Sequence, residues 1–271
     1  MGLKLMYITN KPEIALIAEK SGVDWIFIDL EIKGKIERQG HLDTVISYHK
    51  ISDIRTVKNV LKMSKLLVRV NPINDESVDE INTVIEQGAD IIMLPFSKTK
   101  KEIEVFINAV NNRVKTCILL ETPEAVDNLD EILQVKGIDY IHIGLNDLHL
   151  GYNMKFMFEL LSNGTVEKLI DKIQNYNSPY GFGGIAQVGQ GSLPAEKIIA
   201  EHYRLKSSIV ILSRSFFNQK NIIDYDTALR TFKDGITRIR EFEQSLELKD
   251  EEFFKNNKQE VIDIVNKIIS I

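Results

Sequence analysis

The chain has 271 residues, and its 34 Lys and Arg residues against 39 Asp and Glu residues give a formal net charge of −5. With 44% apolar and 27% charged residues, the composition is that of an ordinary globular protein and not of a disordered chain. The mildly acidic balance, unbroken by any basic run, argues against nucleic acid as a partner. The lone cysteine, Cys117, allows no internal disulfide, and no apolar run indicates a signal peptide or a membrane span. We therefore expect a cytoplasmic protein with no membrane partner.

Short β-rich runs alternate with helix-patterned segments along the whole chain. In chain order, the predicted strands 1 to 8 are Leu3–Thr9, Trp25–Glu31, Leu66–Asn71, Ile91–Phe96, Val114–Glu121, Tyr140–Gly144, Tyr180–Ile185 and Ile209–Ser213. Eight strand–helix units in about 250 residues predict a closed (β/α)₈ barrel, the TIM barrel, rather than a doubly wound sheet. No G-x-G-x-x-G follows strand 1, so the phosphate turn of a dinucleotide-binding fold is missing.

Two connections are longer than the others, and both follow the carboxyl end of a strand, where barrel enzymes keep their chemistry. The first contains the polar segment Glu31–Lys50, and the second spans roughly Leu148–Ser178. Beyond strand 8, amphipathic helices are predicted, the last over Phe253–Ile269. We expect a catalytic barrel over residues 1–248 and a terminal helix over residues 249–271. That helix packs either on its own barrel or on a neighbouring subunit of a homo-oligomer.

Two acids directly follow apolar strands one unit apart in the predicted barrel. Glu121 ends strand 5, and Asp147 follows strand 6. Because neighbouring parallel strands end on the same rim, the carboxylate oxygens of these two residues are expected to meet. Two carboxylates with water form the hard oxygen site that Mg²⁺ or Mn²⁺ prefers. The alternative is that both acids merely stabilise helix N-termini.

Other groups at this rim are candidates for catalysis. Arg69 ends strand 3 and is either a ligand for a substrate carboxylate or an ion-pair partner of Asp29 or Glu121. Glu31 ends strand 2 and is either functional or solvated. The five histidines show no H-x-x-x-H spacing, so a zinc site is not expected. Two histidines of the connection after strand 2, His41 and His49, are candidate general bases, and spacing selects neither.

Further small or polar residues at the rim are candidates for binding a small-molecule substrate. They are Asn71 after strand 3, Gly144 and Asn146 after strand 6, and Ser213 and Arg214 after strand 8. Barrels often bind phosphate between the loops after strands 7 and 8. No lysine lies near the ends of strands 5, 6 and 7, which disfavours a Schiff-base mechanism.

The segments WIFIDLE, LLVRVNP, ILLETPEAVDNLDEIL and GIDYIHIGLNDL resemble, in order and spacing, the HpcH/HpaI aldolase and citrate lyase beta-subunit family. The resemblance implies a metal-dependent barrel enzyme that makes or breaks a carbon–carbon bond next to a 2-oxo acid or an acyl carboxylate. It implies that Glu121 and Asp147 bind a divalent metal, Mg²⁺ first with Mn²⁺ or Co²⁺ as alternatives. It further implies that Arg69 holds the substrate carboxylate and the enolate oxygen, and that Glu31 closes the D-x-E segment.

Two departures from the family pattern leave the general base open. The pyruvate aldolases of the family have a histidine directly after the acid that Glu31 matches, whereas Ile32 follows it here. The strand 6 turn lacks the proline common in that turn. We expect an aldolase acting on a 2-oxo acid and an aldehyde. A looser resemblance to members associated with surface-polysaccharide gene clusters implies a sugar-like substrate. The alternatives are a lyase of the citryl-CoA or malyl-CoA type and a catalytically silent barrel used for binding.

Overall fold

The computed structural model describes residues 2–34, 48–176, 178–217 and 224–270. Within these ranges, eight parallel strands pair in chain order, and the last pairs with the first to close a barrel. The strands are β1 (Lys4–Ile8), β2 (Trp25–Asp29), β3 (Lys65–Arg69), β4 (Ile91–Leu94), β5 (Lys115–Leu120), β6 (Tyr140–Ile143), β7 (Tyr180–Ile185) and β8 (Ile209–Leu212). Each lies within two residues of its predicted bounds, and the predicted (β/α)₈ barrel is confirmed.

The strands are apolar on both faces because the sheet is covered on both sides. In β2, Trp25 and Phe27 pack inside the barrel, while Ile26 and Ile28 pack against the surrounding helices. This two-sided burial is typical of parallel sheets and explains why these strands read as continuous apolar runs. A polar side chain can therefore stand only where a strand leaves the packed interior, at its end.

Helices surround the barrel and connect consecutive strands. Among the described residues they are α1 (Pro12–Lys20), α2 (Ile51–Lys58), α3 (Ser77–Glu86), α4 (Lys100–Val110), α5 (Pro123–Asp127), α6 (Leu129–Ile132), α7 (Leu145–Gly151), α8 (Glu159–Ser162), α9 (Thr165–Ile173), α10 (Ala195–Arg204), α11 (Tyr225–Leu246) and α12 (Glu251–Ile269). Single 3₁₀ turns cover Gln174–Tyr176 and Arg214–Phe216. The second long connection is thus helical, since it contains α7, α8 and α9. None of these helices is long and apolar enough to cross a membrane.

The terminal helix α12 packs on its own barrel in this structure. Its Val261 and Val265 are fully buried. The side-chain amide of Asn257 donates to the carbonyl oxygen of Lys197 at 3.1 Å and to Glu201 Oε1 at 2.9 Å, both on the α10 side of the barrel. The helix thereby covers an apolar face of α10. Its use between the subunits of a homo-oligomer stays a prediction.

We predict that a chain ending at Leu248 has a smaller assembly state and lower activity than the full chain. Removing α12 uncovers the apolar surface on which Val261 and Val265 pack, although it removes no predicted metal ligand. Sedimentation velocity of the two chains checks this prediction. A full-length monomer, or a shortened chain of unchanged assembly state and activity, would contradict it.

Candidate active site

A guanidinium and two acids meet at the carboxyl ends of β2 and β3. Strand register places Asp29 beside Arg69. Nε and Nη2 of Arg69 donate to Oδ1 and Oδ2 of Asp29, each at 2.9 Å, and Nη2 lies 3.3 Å from Oε2 of Glu31. Asp29 and Glu31 are only 2% and 1% exposed, so neither is a solvated loop acid. This two-pronged contact locks the plane of the guanidinium and leaves Nη1 without a hydrogen bond among the described residues.

The charge of Arg69 is secured by its neighbours. Burial alone would lower the pKa of Arg69, but the negative charges of Asp29, Glu31 and Glu121 outweigh this effect and hold the pKa above its ordinary value. The guanidinium therefore stays protonated at any pH at which the fold exists. Arg69 is an ion-pair partner of Asp29, and it also carries a fixed positive charge toward Glu121.

Glu121 is the buried acid of the site. It directly follows β5 and is 2% exposed. The backbone N–H of Phe96, just beyond β4, donates to its Oε1 at 3.0 Å. Its other oxygen, Oε2, lies against Gly144, where an added Cβ would stand 2.7 Å from Oε2 and 2.8 Å from the Cβ of Glu121. The carboxylate is therefore held between the end of β4 and the end of β6.

The two predicted metal ligands act on each other electrostatically. Burial raises the pKa of Glu121 well above its ordinary value, and the negative charge of Asp147, in the first turn of α7, raises it further. The positive charge of Arg69 opposes both effects. A buried carboxylate that is repelled by a second, half-buried one forms a donor set that a divalent cation would stabilise.

The donor set fits a cation that also keeps other oxygen ligands. Over the described ranges, no group of three or more His, Cys, Asp and Glu residues could hold a metal ion. With Glu121 and Asp147 as its two protein ligands, a cation would take its remaining ligands from water and substrate. Mg²⁺ in proteins is usually bound in this way, through one or two carboxylates and several water molecules.

The shifted pKa of Glu121 predicts how the metal-free chain responds to pH. Glu121 has an ordinary pKa of 4.5 when unfolded and a higher one when folded, so the folded state holds its proton more tightly. The free energy of unfolding should therefore fall as pH rises from 4.5 through the folded pKa. Since a cation competes with that proton, metal affinity should rise over the same window. Thermal unfolding in chelator and Mn²⁺ titrations at several pH values check this. Wild-type and Glu121→Gln chains with parallel Tm profiles would contradict it.

Gly144 leads to a second prediction about the acid pair. Gly144→Ala is expected to weaken Mn²⁺ binding by about tenfold or more, because the new methyl group would displace the Glu121 carboxylate. Titration with Mn²⁺ measures the effect. Gly2→Ala at the opposite end of the barrel is the control, since its methyl group would meet only the side chains of Arg240 and Glu243. Equal Mn²⁺ affinities of Gly144→Ala and Gly2→Ala would show that Gly144 does not shape the metal site.

Two residues around the connection after β2 have defined backbone contacts. His49 Nδ1 accepts the backbone N–H of Asp29 at 3.0 Å, so the neutral ring carries its proton on Nε2. His49 in this state is a donor, and its predicted role as general base would require that bond to break. Oδ1 of Asn71 accepts the N–H groups of Ile32 and Lys33, at 2.9 and 3.0 Å. These bonds make Asn71 a brace for the connection, and its contact with substrate stays a prediction. His41 lies outside the described residues.

The remaining predicted substrate-binding residues lie on the same rim. Ser213 directly follows β8, and its Oγ is 2.7 Å from that of Ser215. Arg214 is exposed in the following 3₁₀ turn. Asn146 is half-buried beside Asp147 in α7. The contacts of these three side chains among the described residues do not indicate what they bind. Their roles in substrate binding therefore stay predictions.

A neutral histidine lies in the barrel below the acids. His142 of β6 is 1% exposed, and among the described residues neither ring nitrogen has a hydrogen-bond partner. Burial, together with the positive charge of Arg69, lowers the pKa of His142 to about 4. The ring is therefore uncharged at neutral pH.

Two site residues were not among the predicted catalytic or binding residues. The sequence predicts Asp29 only as a partner of Arg69, although the two-residue period of β2 places it on the same face as Glu31. Phe96 contributes a backbone N–H, which every residue type except proline carries. Residue type therefore holds no signal that could have singled Phe96 out.

The architecture is that of a barrel enzyme whose site lies at the carboxyl ends of the strands. Residues 4–157, more than half of the chain, match the family model described as HpcH/HpaI aldolase/citrate lyase. The chain therefore belongs to the HpcH/HpaI aldolase/citrate lyase family, which confirms the predicted family. That description names aldolases and citrate lyases, the class of enzyme predicted from the sequence. The matched region contains Glu31, Arg69, Glu121 and Asp147.

Curated relatives and solved structures agree with this assignment. The 2-keto-3-deoxy-L-rhamnonate aldolase of Escherichia coli O17:K52:H18 is 31% identical over 158 residues, covering 51% of this chain and 58% of that protein. The chain thus spans less than two thirds of that relative. The structure of an HpcH/HpaI aldolase from Desulfitobacterium hafniense DCB-2 matches with a TM-score of 0.59 at 14% identity. The match covers 78% of this chain and 86% of the aldolase chain. The structure of the citrate synthase SbnG matches with a TM-score of 0.59 at 16% identity. The match covers 86% of this chain and 94% of the SbnG chain. At these identities, the structural likeness is one of fold.

Proposed function

We propose that this chain is a divalent-metal-dependent carbon–carbon lyase, an aldolase that acts on a 2-oxo acid and an aldehyde, with a sugar-like compound as the second substrate. The observation that carries the proposal is the buried carboxylate of Glu121, held by the N–H of Phe96, repelled by the charge of Asp147 and attracted by the guanidinium of Arg69. Family membership supports the reaction class, and the name of the rhamnonate aldolase supports a sugar-derived 2-oxo acid.

Each residue has a distinct part in this reaction. Glu121 and Asp147 would hold the cation, Mg²⁺ first with Mn²⁺ or Co²⁺ as alternatives. When bound, the cation would supply Lewis-acid polarisation of the 2-oxo acid carbonyl. Arg69, clamped by Asp29 through Nε and Nη2, would donate from Nη1 to the substrate carboxylate or the developing enolate oxygen.

A proton must also leave the hydroxyl group of the aldol before the carbon–carbon bond breaks. Glu31 and His49 are the described candidates near Arg69, Glu31 through its buried carboxylate and His49 through the loss of its contact with the Asp29 N–H. Oε2 of Glu31 already lies 3.3 Å from Nη2 of Arg69, whereas His49 would first have to give up its bond to the Asp29 N–H. We propose Glu31 as the first candidate for this step.

Exchange of the methyl protons of pyruvate in deuterium oxide tests the proposal, because it isolates the enolisation half-reaction without the aldehyde. We expect the proton NMR signal of the methyl group to decay with Mg²⁺, Mn²⁺ or Co²⁺ and to persist in chelator. The family also includes citrate lyases, so exchange of acetyl-CoA instead of pyruvate would favour the CoA-dependent alternative. Exchange of neither compound would indicate a silent barrel. The cytoplasmic location and the homo-oligomer stay part of the proposal.

A further inference from the structure

Phe96 has an unusual backbone conformation at the edge of the candidate site. It follows β4, is half-buried, and has a φ of 50°. Residues with a bulky side chain rarely adopt this left-handed region, and they keep it only where the surroundings hold them there. The same residue donates its N–H to Oε1 of Glu121 at 3.0 Å. The strained conformation and the contact with the proposed metal ligand therefore occur in one residue.

The segments on either side of this contact are tied together. The hydroxyl group of Thr122 donates to the carbonyl oxygen of Ser97 at 2.8 Å, and both residues are buried. Farther along, the side-chain amide of Asn128 donates to the carbonyl oxygen of Lys98 at 2.9 Å. These bonds fix where the chain must go after Phe96. Because φ is a rotation about the N–Cα bond, a negative φ with this N–H kept on Glu121 would send the chain after Phe96 in a different direction.

We infer that Phe96 is a positioning residue for Glu121, acting through its left-handed backbone and not through its ring. The N–H of Phe96 holds Oε1 and the missing side chain of Gly144 makes room for Oε2, so the carboxylate is fixed in one orientation before a cation would bind. A ligand fixed in this way loses little freedom on binding, which is how groups that orient metal ligands raise affinity. The inference rests on the proposed function, because it takes Glu121 as a metal ligand.

The ring offers a competing explanation, since the ammonium group of Lys98 lies 5.6 Å from its centroid. The two explanations predict different results for a matched pair of variants. Phe96→Asn removes the ring but tolerates the left-handed region, whereas Phe96→Val keeps an apolar side chain whose branched Cβ disfavours that region. If the backbone conformation matters, Phe96→Asn should keep metal binding and Phe96→Val should lose it. If apolar packing of the ring matters, the opposite result is expected.

Titration of each chain with Mn²⁺, followed by the electron paramagnetic resonance of free Mn²⁺, tests the inference without requiring turnover. We expect Phe96→Asn to stay within about twofold of the wild type and Phe96→Val to bind about 10- to 100-fold more weakly, the range typical of groups that orient a metal ligand. Hydrogen exchange at the Phe96 amide in metal-free protein is the second readout. We expect protection in the wild type and Phe96→Asn, and fast exchange in Phe96→Val. If Phe96→Val does not fold, Phe96→Ala takes its place, with a smaller loss in the same direction.

Wild-type affinity in Phe96→Val, or equal losses in Phe96→Asn and Phe96→Val, would overturn the inference and leave the proposed function standing. A wild type that neither binds Mn²⁺ nor exchanges pyruvate would overturn the proposed function. In that case the hydrogen-exchange pattern alone decides whether the backbone of Phe96 holds Glu121. Fast exchange of the Phe96 amide in the wild type would show that it does not.

Discussion

Glu121→Gln is expected to abolish Mn²⁺ binding and the metal-dependent exchange of pyruvate, and Asp147→Asn is expected to do the same. Each change removes one of the two charged ligands of the proposed site, and an amide oxygen carries no net charge with which to hold a cation. The fold should survive, because the Gln side chain can still accept the N–H of Phe96. In chelator at neutral pH, Glu121→Gln should even raise Tm, since it removes a buried carboxylate whose pKa burial and Asp147 raise.

The matched control for this change is Glu124→Gln. Glu124 lies three residues along the chain, half-exposed, and pairs with Lys98 at 2.8 Å. The change removes the same charge, but at a residue outside the Glu121–Asp147 pair, so Mn²⁺ affinity and exchange should stay at wild-type values. Wild-type metal affinity in either Glu121→Gln or Asp147→Asn would show that the two acids are not the metal ligands.

Arg69→Lys should lower kcat/KM for pyruvate exchange by about 30- to 1000-fold, which corresponds to about 2–4 kcal/mol of transition-state stabilisation. Lysine keeps the positive charge but cannot reproduce the bonds from Nε and Nη2 to Asp29 while also reaching a substrate oxygen. The buried carboxylates of Asp29 and Glu31 would lose part of their compensation, so Tm should fall as well. Mn²⁺ affinity should change much less than the rate, since Arg69 is not a ligand.

Arg113→Lys serves as the control, because Arg113 is exposed and bonds to Asn82 and the carbonyl of Ala109, away from the rim. Exchange kinetics and thermal unfolding of both variants separate the two roles of Arg69. A lowered Tm with unchanged kcat/KM would make Arg69 a structural ion-pair partner of Asp29 and nothing more.

The barrel could be predicted from the sequence because parallel strands covered on both faces leave a strong local pattern. Runs such as Trp25–Asp29 and Lys115–Leu120 are short, apolar and separated by helical periodicity. The rim residues could be predicted for the same reason, since a polar residue directly after such a run has to stand at the end of a strand. This reasoning correctly places Glu121, Arg69 and Glu31 at the rim. They lie close enough for the charges of Glu31 and Glu121 to raise the pKa of Arg69.

What each rim residue contacts could not be read from the same pattern. Asn71 has the position expected of a substrate ligand, yet its amide braces the backbone of Ile32 and Lys33. His49 has the residue type expected of a base, yet it accepts the N–H of Asp29 and carries its own proton on Nε2. In both cases the partner is a backbone group far away in sequence. Since backbone groups are the same for nearly every residue, sequence spacing cannot reveal such a contact.

By itself, the sequence determined the family, the closed barrel and the rim on which the acids and the guanidinium stand. The family follows from the resemblance of four segments, and the barrel and the rim follow from periodicity and from the ends of apolar strands, which are local properties of the chain. Only the tertiary structure decided that Asp29 clamps Arg69, that Gly144 makes room for Glu121, and that the N–H of Phe96 holds its carboxylate. These contacts join strands distant in the chain through backbone direction and through the space a missing Cβ leaves. Both properties exist only once the barrel has closed.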